Sequence, residues 1–189
     1  MARGRCQAEG GLSPHSGALT ERTILRIRSI VIKNGFNVLL HALAWMARRP
    51  GLAPLSRMAG RGLASASCKA KGIKRVSNVT ELGLAWQRSF PSAKSVPIES
   101  VVGSTVIARI HTTCPLRGTG DVGACFRMME FDRAVVGRAG GRFVVLSSQA
   151  TPGIDHCRVA MRMADSAMDD LVPAHVAARE ARPCTIQSS

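Results

Sequence analysis

The feature that most restricts the fold lies between Pro97 and Met163, where two strand–turn–strand patterns enclose a helical one. Ile98 to Val102 and Thr105 to His111 read as strands joined by Gly103-Ser104. A two-residue connection with Gly first closes a tight hairpin. In the second strand Val106, Ala108 and Ile110 point one way, and Thr105, Ile107, Arg109 and His111 the other. After the loop Thr112 to Gly120, Asp121 reads as an N-cap, and a helix is expected from Val122 to Arg138, stopped by Gly140-Gly141. Arg142 to Gln149 is rich in Val and Phe, Thr151-Pro152-Gly153 is a turn, and Asp155 to Met163 returns. On that return strand Cys157, Val159, Met161 and Met163 share a face, with Arg158 and Arg162 opposite. Two hairpins flanking a helix predict an α+β fold. Its sheet is four-stranded and antiparallel, one face carries the helix, and N-terminal helices pack on the rest.

The chain before Pro97 reads as helical. Residues 1–19 lack periodicity and are expected to be a disordered leader. Thr20 reads as an N-cap for a helix to about Lys33, closed by Asn34-Gly35. A second helix is expected over Phe36 to Arg48, a short third over Leu52 to Ala64, and a basic connector over Cys68 to Arg75. Asn78 then caps a fourth helix with Leu82, Ala85, Trp86 and Phe90 on one side. His41, Trp45 and Trp86 either line a pocket or belong to ordinary core. One folded domain over residues 20–164 is expected, with a helical part (20–90), a hairpin–helix–hairpin part (97–163) and a frayed tail (165–189).

Composition narrows the function classes. Residues 1–90 carry 15 Lys or Arg against 3 Asp or Glu, so a basic patch for nucleic acid or an anionic membrane surface is one reading. Aromatics make up only 4% of the chain and Tyr is absent, so base-stacking side chains are scarce and nucleic acid is not the expected partner. Six cysteines are too few for a disulfide-dense secreted scaffold. The first ten residues lack an apolar signal core. Ile30 to Ala47 is interrupted by Lys33, Asn34, Gly35, Asn37 and His41, so no transmembrane segment is expected. These features point to a cytoplasmic, reducing setting with free thiols.

Three of the six cysteines and two of the five histidines fall in the hairpin–helix–hairpin part. Cys114 follows a strand end and precedes a helix. A thiolate there would be favoured by the helix N-terminus, by Arg117 and by His111, which is three residues away and a candidate base. The alternative is a small buried thiol. Cys125 and Cys157 read more readily as core thiols, although Cys157 follows the ionisable pair Asp155-His156. His111, Cys114, Cys125 and Cys157 are soft ligands, but no CxxC pair is present, and no metal or other cofactor is expected. Glu130 is expected to face solvent. Asp132 falls on the apolar face of its helix, where an acid needs a partner. It would orient a base, or form a salt bridge to Arg158 or Arg162.

The runs Cys114-Pro115-Leu116, Cys125 with downstream Asp132, and Gln149 through Val159 resemble the L-2-amino-thiazoline-4-carboxylic acid hydrolase family. The likeness spans about Val79 to Met163, with Trp86 in the helix before the sheet. Parts of the pattern are shared with vinyl-reductase-like small-molecule-binding domains and with a carotene-isomerase family. The resemblance implies hydrolytic opening of a small cyclic amidine or amide. Cys114, His111 and Asp132 would then be catalytic, and Arg117, Arg158, Cys125 and His156 would contact substrate. Backbone N–H groups near Asp121 to Gly123 would steady developing charge. Two other readings stand beside it: a non-catalytic small-molecule- or metal-binding sensor, in which Met128, Met129, Met161 and Met163 suit an adaptable apolar pocket, and a basic surface binder. A homo-oligomer is compatible with each.

Overall fold

The computed structural model describes residue 35 and residues 37–181. The chain divides into residues 1–39 and 40–189. In the first unit Gly35 and residues 37–39 are helical. The expected leader, the helix from Thr20 and the last residues of the tail fall outside the described residues.

In the second unit, helix α1 (40–47) is followed by a 3-10 turn at Pro50–Leu52, and then by α2 (Ala53–Ala70) and α3 (Val79–Arg88). Strands β1 (Ile98–Val102) and β2 (Thr105–Ile110) form the first hairpin. Helices α4 (Val122–Met128) and α5 (Glu130–Ala139) precede β3 (Gly141–Ser147), β4 (Cys157–Met163) and a short α6 (Ala174–Glu180). The sheet is antiparallel throughout, in the order β1-β2-β4-β3, so the two hairpins join through β2 and β4. The fold is the α+β arrangement expected from the sequence. No helix among the described residues is long and apolar enough to cross a membrane.

Turn chemistry fixes both hairpins. Val102 pairs with Thr105 across Gly103-Ser104, and Gly103 takes φ +55°, a conformation open to glycine at little cost. In the second hairpin Ile154 N–H donates to Thr151 O (3.2 Å), and Gly153 has φ +83°. Pro at the second turn position and Gly at the third suit a type II turn.

Helix α3 begins where Asn78 accepts the Glu81 N–H (2.9 Å). Replacing Asn78 with alanine is expected to cost about 1 kcal/mol in urea unfolding without changing the fold. Leu82, Ala85 and Trp86, all fully buried, point from α3 toward the sheet. Gly83 allows close approach: a Cβ there would sit 2.9 Å from Val106. Trp45 is 55% exposed while Trp86 is fully buried, so these two tryptophans do not share a pocket, and Trp86 is core.

Three local expectations need correction. Helix α2 runs on to Ala70 instead of ending near Ala64. Its buried stripe of Ser56, Gly60, Ala64 and Cys68, spaced by four, packs against α5. The single helix over Val122–Arg138 is two, broken at Met129. A continuous helix would give the Phe126 carbonyl to Glu130 N–H, but the Arg133 guanidinium takes it (2.6 Å). Glu130 is not solvent-facing. The residue is 8% exposed, and its carboxylate accepts from Arg61 (2.7 Å) and Arg133 (2.9 Å). Burial alone would raise its pKa, but the two guanidiniums outweigh that and hold it below the usual value.

Candidate functional site

The residues with the greatest chemical potential gather at the end of the sheet where β2 runs out and β4 begins. Ile110 pairs with Cys157 as the last β2–β4 pair, so the next residues outward are His111 and His156. Their rings lie 5.2 Å apart, tilted by 31°. His156 Nδ1 is 2.5 Å from Asp155 Oδ1. That hydrogen bond, joined by the nearby His111, holds the exposed Asp155 carboxyl below its usual range.

Gln149 organises the loop that carries Cys114. Its amide donates to the carbonyls of Ile110 and Thr112, both at 3.0 Å. Its carbonyl accepts Cys114 N–H (3.2 Å) and Arg117 Nε (3.0 Å). Its own backbone N–H reaches Cys157 Sγ (3.3 Å), and its backbone carbonyl accepts Gly118 N–H (2.8 Å). Gln149 is fully buried, so these bonds form where leaving any group unpaired is costly. Sequence reasoning gave this residue no role. No spacing signal marked it: the register of β3 shifts between Val145 and Ser147, so the alternation of Gly141, Phe143 and Val145 does not carry through to Gln149.

Cys114 is partly buried, with its sulfur accepting Leu116 N–H at 3.4 Å. Burial pushes its thiol up, and the Leu116 N–H and Arg117 offset only part of that. The thiol is therefore protonated at neutral pH, and attack by sulfur requires a base. Arg117 bridges the Gln149 side chain and the Asp155 carbonyl (2.5 Å), which places its cation between the Cys114 loop and the His156–Asp155 pair.

Cys125 and Cys157 are core thiols, 2% and 1% exposed. Cys157, together with burial, raises the Cys125 thiol strongly. The Cys157 thiol is lowered, by Cys125 first and also by the Gln149 N–H that its sulfur accepts. Cys125 also reaches the wall of a cavity of about 110 Å³, lined with Val122, Phe126, Phe143, Val145 and His175. His175 stacks on Phe126 at 3.9 Å.

The structure does not bring Asp132 to a histidine. It is 6% exposed, and its Oδ1 accepts the Trp86 indole N–H at 2.8 Å. Burial raises its pKa to about 6, against the opposing pull of Trp86 and Arg133. The salt bridge expected to Arg158 or Arg162 is not made. Arg158 shares Glu99 with Arg109 (3.3 and 3.0 Å), and Arg162 grips Asp170 (2.6 Å) and Thr105 (2.7 Å). The arginine beside it holds Glu99 down to about 2, Arg109 acting first and Arg158 second. The N–H groups at the start of α4 are largely committed: Asp121 N–H to Thr119 Oγ1, Val122 N–H to Gly120 O, and Ala124 N–H to Asp121 Oδ1. Leu116 N–H, at the sulfur itself, is the better placed donor. Among the described residues no cluster of three or more His, Cys, Asp or Glu side chains is arranged to hold a metal ion.

The fold and these contacts define an α+β protein with a thiol-bearing loop clamped at one end of its sheet. Comparison of the chain with protein-family models, curated proteins and solved structures gives no match.

Proposed function

We propose that the chain is a small-molecule hydrolase of the amino-thiazoline carboxylate type, with Cys114 as its nucleophile. The observation that supports this most is the placement of Cys114. The residue is partly exposed, its sulfur receives a backbone N–H, and it sits on a loop tied through Gln149 to Arg117. In this reading an imidazole of the His111–His156 pair takes the thiol proton. The sulfur adds to the amidine carbon, and the ring carbon–sulfur bond breaks, with the leaving thiolate protonated by the same imidazole. Water then attacks that carbon and frees Cys114. The sum is one water added, one carbon–sulfur bond replaced by carbon–oxygen, and a product carrying a urea and a thiol. Arg117 recognises the substrate carboxylate with the N–H groups left free by Gln149 and Asp155. Arg158, committed to Glu99, contributes less directly. Asp132 acts at most through the packing around Trp86.

Iodoacetamide labelling of the native protein tests the nucleophile. Cys114 is expected to be the first of the four cysteines at 68, 114, 125 and 157 to react. Its rate should still be rising above pH 8, because burial keeps the thiolate fraction small at neutral pH. A native Cys114 that stays unlabelled across that range removes the proposal.

A further inference from the structure

Helix α2 needs only one face to pack on α5, and the stripe of Ser56, Gly60, Ala64 and Cys68 supplies it. A surface helix ordinarily turns charged residues the other way. Here Leu55, Met58, Gly62 and Ala66, at spacings of three and four, make the solvent face, with Leu55 51% and Met58 70% exposed. Lys69 continues that face toward the end of the helix. Helix α1 buries Leu43, Ala44 and Ala47 and leaves Trp45 outside, with the Arg49 guanidinium 3.8 Å from the indole ring centroid. The charge along this stretch has one sign: residues 40–80 hold eight Lys or Arg and no Asp or Glu. Among the described residues only Arg61 of the eight is paired with a carboxylate, that of Glu130.

We propose that the outer face of α2 lies on an anionic lipid bilayer, with Leu55 and Met58 sunk into the headgroup boundary and Trp45 of α1 entering beside them. The inference is independent of the hydrolytic reading, since no residue of the Cys114 loop enters it. Charge complementarity selects the occupant. A second copy of the chain, related by a two-fold axis, would bring the same cations against themselves. Nucleic acid would neutralise the cations but leave Leu55 and Met58 without partners, because phosphate contacts are polar and neither side chain can stack on a base. A bilayer surface answers both features. The apolar side chains leave water for the acyl boundary, while Arg and Lys lay their stems along it and keep their charged heads among the lipid headgroups. Tryptophan fits the same depth, since its ring is apolar and its N–H polar. Neither helix is long and apolar enough to cross a membrane, so the contact lies in the plane of the surface.

The test sediments the full chain with vesicles of phosphatidylcholine alone and with vesicles containing about one-third phosphatidylserine. The chain should pellet with the second and stay in solution with the first, and added salt should release it. Trp86 is fully buried, so a blue shift of tryptophan emission on binding should come from Trp45. Leu55→Asp combined with Met58→Asp, at exposed positions that spare the core, should weaken binding about tenfold or more. Met58→Gln alone, which adds no charge, should weaken it about threefold, so the result does not depend on the fold of the double variant. Leu84→Asp, on α3 and also exposed, should leave binding unchanged. Any of three outcomes overturns the proposal: wild-type protein that stays in solution with the anionic vesicles, a double variant that pellets as well as wild type, or tighter binding to a single-stranded oligonucleotide than to those vesicles.

Discussion

Replacing Gln149 with leucine is expected to destabilise the protein by about 3–5 kcal/mol, a large fraction of the stability of a domain this size. Leucine nearly matches the volume of glutamine but offers no polar atom. The carbonyls of Ile110 and Thr112, the Cys114 N–H and the Arg117 guanidinium would each lose a partner at once. The two carbonyls and the amide lie around a fully buried side chain, so water cannot replace it without the loop opening. Urea unfolding measures the loss. A useful comparison is Gln87→Leu, which removes one bond, to the Val96 carbonyl at 3.0 Å. That change should cost about 1 kcal/mol. The two variants should also differ in chemistry. Freed from Gln149, the Cys114 loop should open, and native labelling of Cys114 should accelerate. Gln87→Leu should leave the labelling rate unchanged. A Gln149→Leu protein as stable as wild type would mean the clamp is not what holds the loop.

The second large effect concerns Asp132. Its folded-state pKa, raised to about 6 by burial, exceeds the unfolded value near 3.9. The folded state therefore holds this proton more tightly than the unfolded state. Below about pH 4 the group is protonated in both states and has no effect. As the pH rises from about 4 to 6, the unfolded chain ionises first, and folded stability falls. Above pH 6 the full penalty, about 3 kcal/mol, is in place. Asp132→Asn keeps an oxygen for the Trp86 indole N–H and removes the charge. It should match the wild type near pH 4 and exceed it by about 3 kcal/mol near pH 8. Glu99, Asp155 and Asp170, whose pKa values are lowered, titrate alike in both proteins and cancel in the difference. A difference that does not vary with pH would contradict a buried, ionising Asp132.

The hairpins were legible because two independent signals agreed. Alternation along β2 and β4 set the inward faces, and Gly103 and Gly153 supplied the positive φ their turns require. The N-caps at Asn78 and Asp121 were legible for a similar reason, since a short acceptor directly precedes the helical pattern. The rest depended on partners far away in the chain. The end of α2 was hidden because its buried stripe of Ser56, Gly60, Ala64 and Cys68 is made of small residues, which give little apolar contrast. Glu130 was misplaced because its burial depends on Arg61, 69 residues earlier. The break at Met129 follows from where the Arg133 side chain reaches, which no spacing rule encodes. At the site, the cysteines and histidines were found by residue type, but the residue that ties Cys114 to Arg117 and Cys157 is Gln149, which the sequence marked only as a strand end and the start of a resembling run.

The central claim is that Cys114 reacts with substrate, and turnover measures this most directly. Purified full chain should be incubated with 2-amino-thiazoline-4-carboxylate, and release of product thiol followed at pH 8. The account predicts turnover by the wild type and by Cys68→Ser, whose buried thiol stands apart from the site, and none by Cys114→Ser. Turnover of this substrate by Cys114→Ser at the wild-type rate, or its absence in folded wild-type protein, would contradict it.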